Sequence, residues 1–296
     1  MIEEKYSASI IIPAYNNEME LEYTLQAILR SDYDMNDIEV LVCDDGSEKP
    51  LIKTVKKYEK ILNIRYFYQP DKGFRAAAAR NMGILNAKGK ICIFLDSGVM
   101  PSTGCISAHI NAHKNEHTAV IGYVYGFDNE NKSRETILEL LDVNDIDKSI
   151  KLMKNESILD IREAFYKDLG YDLSMWPAPW CYFWSCNISV DRSDLVEFAL
   201  FDESFVEWGG EDLDLGIALH IHKENFVLRR DADAIHYPHE KRNHLIENPE
   251  LFMKNLEATR KKLYQKYLLP EIMIWIKLAD TRKLNQYLIE HPDEWK

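Results

Sequence analysis

The stretch "ASIIIPAYNNEMELEYTLQAILRS", Ala8 to Ser31, decides the fold class. Its first part, ASIIIPAY, is a continuous run of small and β-branched apolar residues. A strand that alternates apolar and polar residues covers one face; an unbroken run such as this reads as a strand buried on both faces. In the second part Leu21, Leu25, Ile28 and Leu29 fall on one helical face, and Asn17 with Glu20 offers a capping pair. A doubly buried strand followed by an amphipathic helix is the unit of a parallel sheet.

The unit repeats to about residue 125. Strands are expected at IEVLVCDD, NIRYFYQ, KICIFLD and TAVIGYVYG. Helices are expected at LIKTVKKYEKIL, at FRAAAARNMGILNAKG up to Gly89, and at STGCISAHINAHKNE. The predicted class is α/β: a Rossmann-like, mostly parallel central sheet with helices on both faces. Ligands of such sheets bind beyond the carboxyl ends of the strands. That rule makes Pro13–Asn16, Asp44–Ser47 and Asp96–Gly98 neighbours.

Residues 127–175 break the alternation and read as an insertion over the sheet edge, with LDVNDIDKSIKLMKNE helical. The aromatic cluster of Trp176, Trp180, Tyr182, Phe183 and Trp184 reads as core, or as a stacking platform for an acceptor. The segment EDLDLGIALHIHKE is helical again. One domain over 1–245 is therefore expected, followed by a helical C-terminal extension over 246–296. The apolar segment LPEIMIWIKLA in that extension is expected to pack on the domain, with a homodimer contact and a membrane surface as alternatives.

Hydrophobic residues make up 46% of the 296 and charged residues 29%, as in an ordinary soluble globular protein. A formal net charge of −13 argues against nucleic-acid binding through phosphate neutralisation. The five cysteines have no paired metal spacing and suit a reducing cytoplasm. The N-terminus is acidic where a secretory leader is basic. No stretch approaches the ~20 apolar residues of a membrane span. The expected location is the cytoplasm, with peripheral attachment to the inner face of the membrane as an option.

No GxGxxG follows the first strand, and neither GxxxxGK[ST] nor GxSxG occurs, so dinucleotide, P-loop and nucleophile-elbow chemistry are not indicated. What remains is acids at strand ends. Taken singly, Asp44, Asp45 and Asp96 read as turn and cap residues.

The set is more informative than its members. SIIIPAYNNE, VCDDGSE, GFRAAAARNMGILNAKG, FLDSG and WGGEDLDLG occur in this order. Together they resemble the nucleotide-sugar-dependent glycosyltransferases of the GT-A fold, in the inverting family 2 group. WGGED and the following HYPHE are closest to its chondroitin-polymerase-like and polypeptide-GalNAc-transferase-like branch. The resemblance covers roughly residues 7–126 and 176–242.

It implies inverting transfer of a sugar from a UDP-sugar to a hydroxyl acceptor, which could be a glycan, a peptide, a lipid-linked sugar or a small molecule. It also implies roles. Pro13, Ala14 and Tyr15 line the uridine pocket, and Asp45 accepts the uracil N3–H. Arg80 approaches the nucleotide or its diphosphate, with Lys72 and Arg75 as weaker candidates. Asp96 matches the first acid of the family's Asp-x-Asp motif and, with Ser97 beside it, belongs to the donor site. The second acid is replaced by Gly98. His236 matches a histidine that completes a Mn²⁺ or Mg²⁺ site with Asp96, and His239 is the alternative ligand. Asp212 matches the catalytic base, with Glu211 as alternative. Trp208, Gly209 and Gly210 border the sugar.

Asp214 reads as a helix-start acid. Asn187 falls where the family places a structural or acceptor-contacting Asn. His109, His113 and His117 repeat every four residues, a spacing that can bind metal, on what reads as an outer helix. Two rivals are a nucleotidyltransferase, which PAYNNEME is too acidic and Gly-poor to support, and a non-catalytic, degenerate sugar-nucleotide binder, for which Gly98 is the evidence.

Overall fold

Ile10 and Ile12 on one face of the first strand, and Ile11 on the other, are all fully buried, and they enter two different core layers. This is the doubly covered strand that the unbroken apolar run requires. The computed structural model describes residues 4–115, 117–126, 134–207, 209–238 and 249–296. Strands β1 (Tyr6–Ala14), β2 (Ile38–Asp44), β3 (Ile64–Tyr68) and β4 (Gly89–Leu95) run parallel, in the order β3-β2-β1-β4. Helices α1 (Glu18–Ile28) and α2 (Ile52–Lys56) supply the layer around Ile10 and Ile12 through Leu21, Leu25, Ile28 and Val55. Helix α3 (Ala76–Asn86) covers the other face through Ala77, Ala79 and Ile84.

Beyond β4 the sheet continues through β7 (Asn187–Asp191), β6 (Thr118–Tyr125), β8 (Asn225–His236) and the short β5 (Val99–Pro101). Here β7 is antiparallel to both its neighbours, β6 and β8 are parallel, and β5 is antiparallel to β8. The mostly parallel sheet expected from the sequence is present. The two antiparallel strands were not foreseen.

Three local expectations change. The Asn17 side chain does not cap α1; its Oδ1 accepts from the Tyr15 N–H at 3.1 Å. Helix α2 is only five residues long, and the chain continues to Leu62 in turns that still bury Tyr58 and Leu62. Helix α4 (Cys105–Ala112) ends before His113, so the three histidines do not share one helical face.

The insertion contains α5 (Arg134–Leu140), α6 (Ile146–Asn155) and α7 (Glu163–Leu169). It is wired to the sheet by Arg162, which is fully buried. Its guanidinium donates to Asp160 and to the carbonyls of Tyr182 and Gly122. Helices α8 (Arg192–Phe198) and α9 (Glu211–Ile221) flank the second half of the sheet.

The C-terminal helices α10 (Pro249–Tyr267), α11 (Pro270–Leu278) and α12 (Thr281–Glu290) pack on the aromatic cluster. Trp275 meets Trp180 edge-on, with ring centroids 5.6 Å apart. Trp176, Trp180, Tyr182 and Phe183 are buried core, and Trp184 is partly buried under the Arg162 guanidinium. All five cysteines are buried thiols. Among the described residues no helix is long and apolar enough to cross a membrane.

Candidate active site

The carboxyl ends of β1, β2 and β4 form one edge. Ala14 pairs with Asp44 across β1 and β2, and the Asp45 N–H donates to the Ala14 carbonyl at 2.9 Å. The two acids of CDDGSE then separate by role. Asp44 turns inward, where its carboxylate accepts from the Ser47 N–H (2.8 Å), the Leu51 N–H (3.1 Å) and the Tyr66 hydroxyl (2.6 Å). It is turn chemistry. Asp45 accepts from the Arg75 N–H at 2.8 Å and from the Gln69 amide, so it is tied to the loop over residues 69–75. Burial pushes its carboxyl up, against the pull of these donors.

Asp71 in the same loop accepts from the Tyr15 hydroxyl at 3.1 Å. Pro13, Ala14, Tyr15 and Asp45 thus come together beneath one loop. The sequence reading missed Gln69 and Asp71, because QPDKG carries only a turn signal. Arg75 folds back and donates to the Pro70 carbonyl at 2.6 Å, and Lys72 is exposed.

Asp96 follows β4 directly. Residues 96–99 form a turn closed by the Val99 N–H on the Asp96 carbonyl at 2.9 Å. Its third residue, Gly98, has φ +98°. A type II turn needs positive φ at that position, which is why glycine stands there. The Gly98 N–H donates to Thr24 Oγ1 at 2.9 Å, and its carbonyl accepts from the Tyr237 N–H at 2.8 Å. Ser97 sits in the same turn, its hydroxyl oxygen buried.

This turn also fixes His236. Strands β5 and β8 pair Val99 with His236, which brings the histidine beside the Asp96 turn. His236 Nδ1 lies 2.9 Å from the Tyr237 carbonyl. A carbonyl only accepts, so Nδ1 donates here, and Nε2 is the ring nitrogen through which a metal would be bound. Asp96 uses one carboxylate oxygen on Arg80 and is about one-third exposed. A partly exposed carboxylate beside an imidazole fits a divalent cation.

Arg80 lies at the centre. It is 4% exposed and donates to Asp96 Oδ1 at 2.9 Å and Glu211 Oε1 at 3.1 Å. Its guanidinium is therefore occupied by two carboxylates. Glu211 and Asp212 open α9 after Gly209 and Gly210. Gly210 has φ +109°, and a Cβ there would lie 2.8 Å from Thr259 and 2.9 Å from the Phe205 ring, so only glycine fits. Asp212 is partly buried, with its Oδ1 on the Leu213 N–H at 2.8 Å. Burial, and then the neighbouring Glu211, push its carboxyl up to about 7; Arg80 opposes this. Trp208 and His239 lie outside the described residues.

Other candidates are structural. Asp214 accepts from Lys266 at 2.9 Å and from the Tyr267 hydroxyl at 2.9 Å, which anchors α10. His109 is buried between Ser189 and Asn187, at 2.9 Å from each, and burial lowers it to about 4. Asn187 donates to the Ala232 carbonyl at 2.9 Å and is buried.

The description Glycosyl transferase family 2 matches residues 9–167. Validoxylamine A glucosyltransferase from Streptomyces hygroscopicus subsp. jinggangensis is 33% identical over 267 residues, covering 89% of this chain and 62% of that protein. Chondroitin synthase from Escherichia coli is 31% identical over 244 residues, covering 78% of this chain and 34% of that protein. The chain thus spans less than two thirds of the length of either relative.

Among solved structures, the mannosyltransferase PcManGT from Pyrobaculum calidifontis, in complex with GDP-Man and Mn²⁺, superposes with a TM-score of 0.60 at 14% identity. It covers 99% of this chain and 77% of that one. TarS from S. aureus, in complex with UDP-GlcNAc, gives 0.58 at 16% identity, covering 87% and 66%. At such identities these neighbours speak to the fold alone, and it is the GT-A arrangement.

Proposed function

The chain belongs to glycosyl transferase family 2, and on that premise we propose that it transfers a sugar from a UDP-sugar to a hydroxyl acceptor with inversion at the anomeric carbon. The observation that carries this reading is the convergence of Asp96, Glu211 and Asp212 on Arg80, at the carboxyl edge of the sheet.

In the proposed reaction Asp212 is the base. The acceptor hydroxyl attacks the anomeric carbon from the face opposite the diphosphate, and its proton passes to the Asp212 carboxylate. The new oxygen–carbon bond forms as the bond to the diphosphate breaks, and the electron pair leaves with UDP. A carboxyl held near 7 keeps a useful fraction of base at neutral pH while remaining basic enough to take the proton. Glu211, tied to Arg80, is better suited to positioning than to proton transfer.

Arg80 holds Asp96 and Glu211 apart at fixed spacing and offsets their charge. Asp96 and His236 would hold Mn²⁺ or Mg²⁺; such a cation supplies Lewis-acid stabilisation of the leaving diphosphate. Asp45, beneath the loop over 69–75, is assigned the uracil N3–H, with Pro13, Ala14 and Tyr15 along the ribose. Ser97, Gly209 and Gly210 are assigned to the donor's phosphate and sugar side, as is Trp208. The acceptor is a glycan, peptide, lipid-linked sugar or small molecule. Gly98, explained by the turn it makes, does not argue for a degenerate binder.

The test is Asp212→Asn. Transfer should vanish while UDP affinity, read by calorimetry with Mn²⁺, stays within about threefold of wild type. Unchanged turnover would remove Asp212 from the mechanism. Hydrolysis screens with UDP-Glc, UDP-GlcNAc, UDP-Gal, UDP-GalNAc and UDP-GlcA would identify the donor.

A further inference from the structure

At the opposite end of the sheet, three side chains from three elements meet. His117 immediately precedes β6, Glu224 immediately precedes β8, and Asp194 lies in α8, just after β7. Strand β7 separates this place from the catalytic edge. Its Asn187 end pairs with Leu95, next to Asp96, and its Asp191 end pairs with Ile91. The cluster is therefore a strand's length from the proposed donor site.

His117 Nδ1 lies 3.1 Å from Asp194 Oδ1 and 3.6 Å from Glu224 Oε1, and the three ligand atoms all fall within 4.8 Å of one another. Four ligands arranged tetrahedrally at about 2.0–2.1 Å from a zinc ion are about 3.3–3.4 Å apart. The two distances bracket that value.

A group of acids alone would say little. The independent observation is that Glu224 is 6% exposed and neither of its buried carboxylate oxygens accepts from an N–H group within hydrogen-bond distance; the group it meets is the carboxyl of Asp194. Asp194, 2% exposed, has its Oδ2 in the same condition. Buried carboxylate oxygens are normally satisfied, because leaving them bare costs the full desolvation of the group. The neighbouring Asp191 adds to the local excess of negative charge: it is engaged by the Thr118 N–H at 3.1 Å and faces His113 at 3.3 Å.

We propose that His117, Asp194 and Glu224 form a divalent transition-cation site of the Zn²⁺ type. It staples the starts of β6 and β8 to α8. One imidazole nitrogen and two carboxylates suit zinc better than magnesium. The cation takes the place of the proton on His117 Nδ1 and satisfies the bare oxygens of Glu224 and Asp194. The His117 side is 57% exposed, which gives the ion an entry path and leaves room for a water as fourth ligand.

The test is Zn²⁺ binding by the whole chain after chelator treatment, measured by equilibrium dialysis. The background carries His236→Gln, so that the proposed catalytic site does not contribute. One tight equivalent is expected. It should weaken at least about 100-fold in both Glu224→Gln and His117→Asn. Asparagine tolerates the left-handed backbone of His117, which has φ 60°, so the second variant keeps the fold readable if the first does not.

Zn²⁺ should raise the melting temperature of the parent and leave that of both variants unmoved. With His236 intact, His117→Asn should retain sugar transfer. Absence of a tight equivalent overturns the site. So does an equivalent that survives both variants, or a Glu224→Gln protein that is simply more stable in a parent that takes up no zinc; in that last case the two acids share a proton instead.

Discussion

Arg80 joins Asp96 to Glu211: one guanidinium donates to the acid that follows β4 and to the acid that begins α9, 131 positions after the arginine in the chain. The fork geometry of arginine makes this possible, since its separate N–H groups reach two carboxylates at once. Arg80→Met should leave Glu211 buried and unpaired and cost about 3–5 kcal/mol of stability in urea unfolding. Arg80→Lys keeps the charge and reaches one acid only. It should unfold at higher urea than the methionine variant and still lose about 100-fold in kcat/KM. Equal stability of Arg80→Met and wild type would mean that the bridge holds nothing together.

The raised Asp212 carboxyl predicts two pH effects. As a base it works only when ionised, so kcat/KM should climb with pH through about 7 and level off above. For stability the sign runs the other way. The folded protein holds this proton more tightly than the unfolded chain, whose carboxyl titrates near 3.8. Stability is therefore lost as pH rises between about 4 and about 7, and the full penalty stands above that. Asp212→Asn removes it. The variant should melt about 2–4 °C above wild type at pH 8 and show a smaller difference at pH 5. Melting curves at both pH values check this.

The alternation of strands and helices was legible from apolar runs, because burial on both faces leaves no room for polar residues in Ile10–Ile12 or Ile91–Leu95. The strand-end acids were legible as a set. What was not legible depended on contacts distant in sequence. Asp44 and Asp45 are adjacent and chemically identical, and it is their donors that tell them apart, among them the Tyr66 hydroxyl for Asp44 and the Arg75 N–H for Asp45. The three-residue β5 is too short to carry a pattern. The histidine repeat suggested a single helical face; α4 stops at Ala112, and His109 and His113 turn to the buried polar residues of β7 instead. Arg162 lies in a polar stretch that reads as surface and is fully buried, because its partners come from β6 and the aromatic segment.

Gly98 is the point where the chain departs from the family's two-acid motif, and the turn makes a specific forecast. Gly98→Ala and Gly98→Asp should each cost about 1–3 kcal/mol, since both place a Cβ on a left-handed backbone. Gly98→Asp should not tighten the binding of UDP in the presence of Mn²⁺. His236→Gln, by contrast, should reduce the gain in UDP affinity that Mn²⁺ gives, with little change in metal-free binding. Calorimetry on the three proteins separates these outcomes. Tighter binding by Gly98→Asp would mark position 98 as a vacated ligand position rather than a turn glycine.

The C-terminal helices give the last prediction. Asn285 on α12 is fully buried. It accepts from the Ala178 N–H at 2.7 Å and donates to the Ala178 carbonyl at 3.0 Å, which satisfies the backbone of the aromatic segment as a neighbouring strand would. Trp275 on α11 fills the space against Trp180. Trp275→Ala should cost about 3–5 kcal/mol through the cavity it opens, and Asn285→Leu about 1–3 kcal/mol through the two Ala178 groups it strands. The aromatic segment leads into β7, which pairs with β4 next to Asp96. Both variants should therefore unfold in a single transition together with the sheet, followed by far-UV and tryptophan signals at once. A separate early transition confined to the tryptophan signal would show the extension to be an independent unit docked on a sheet that stands without it.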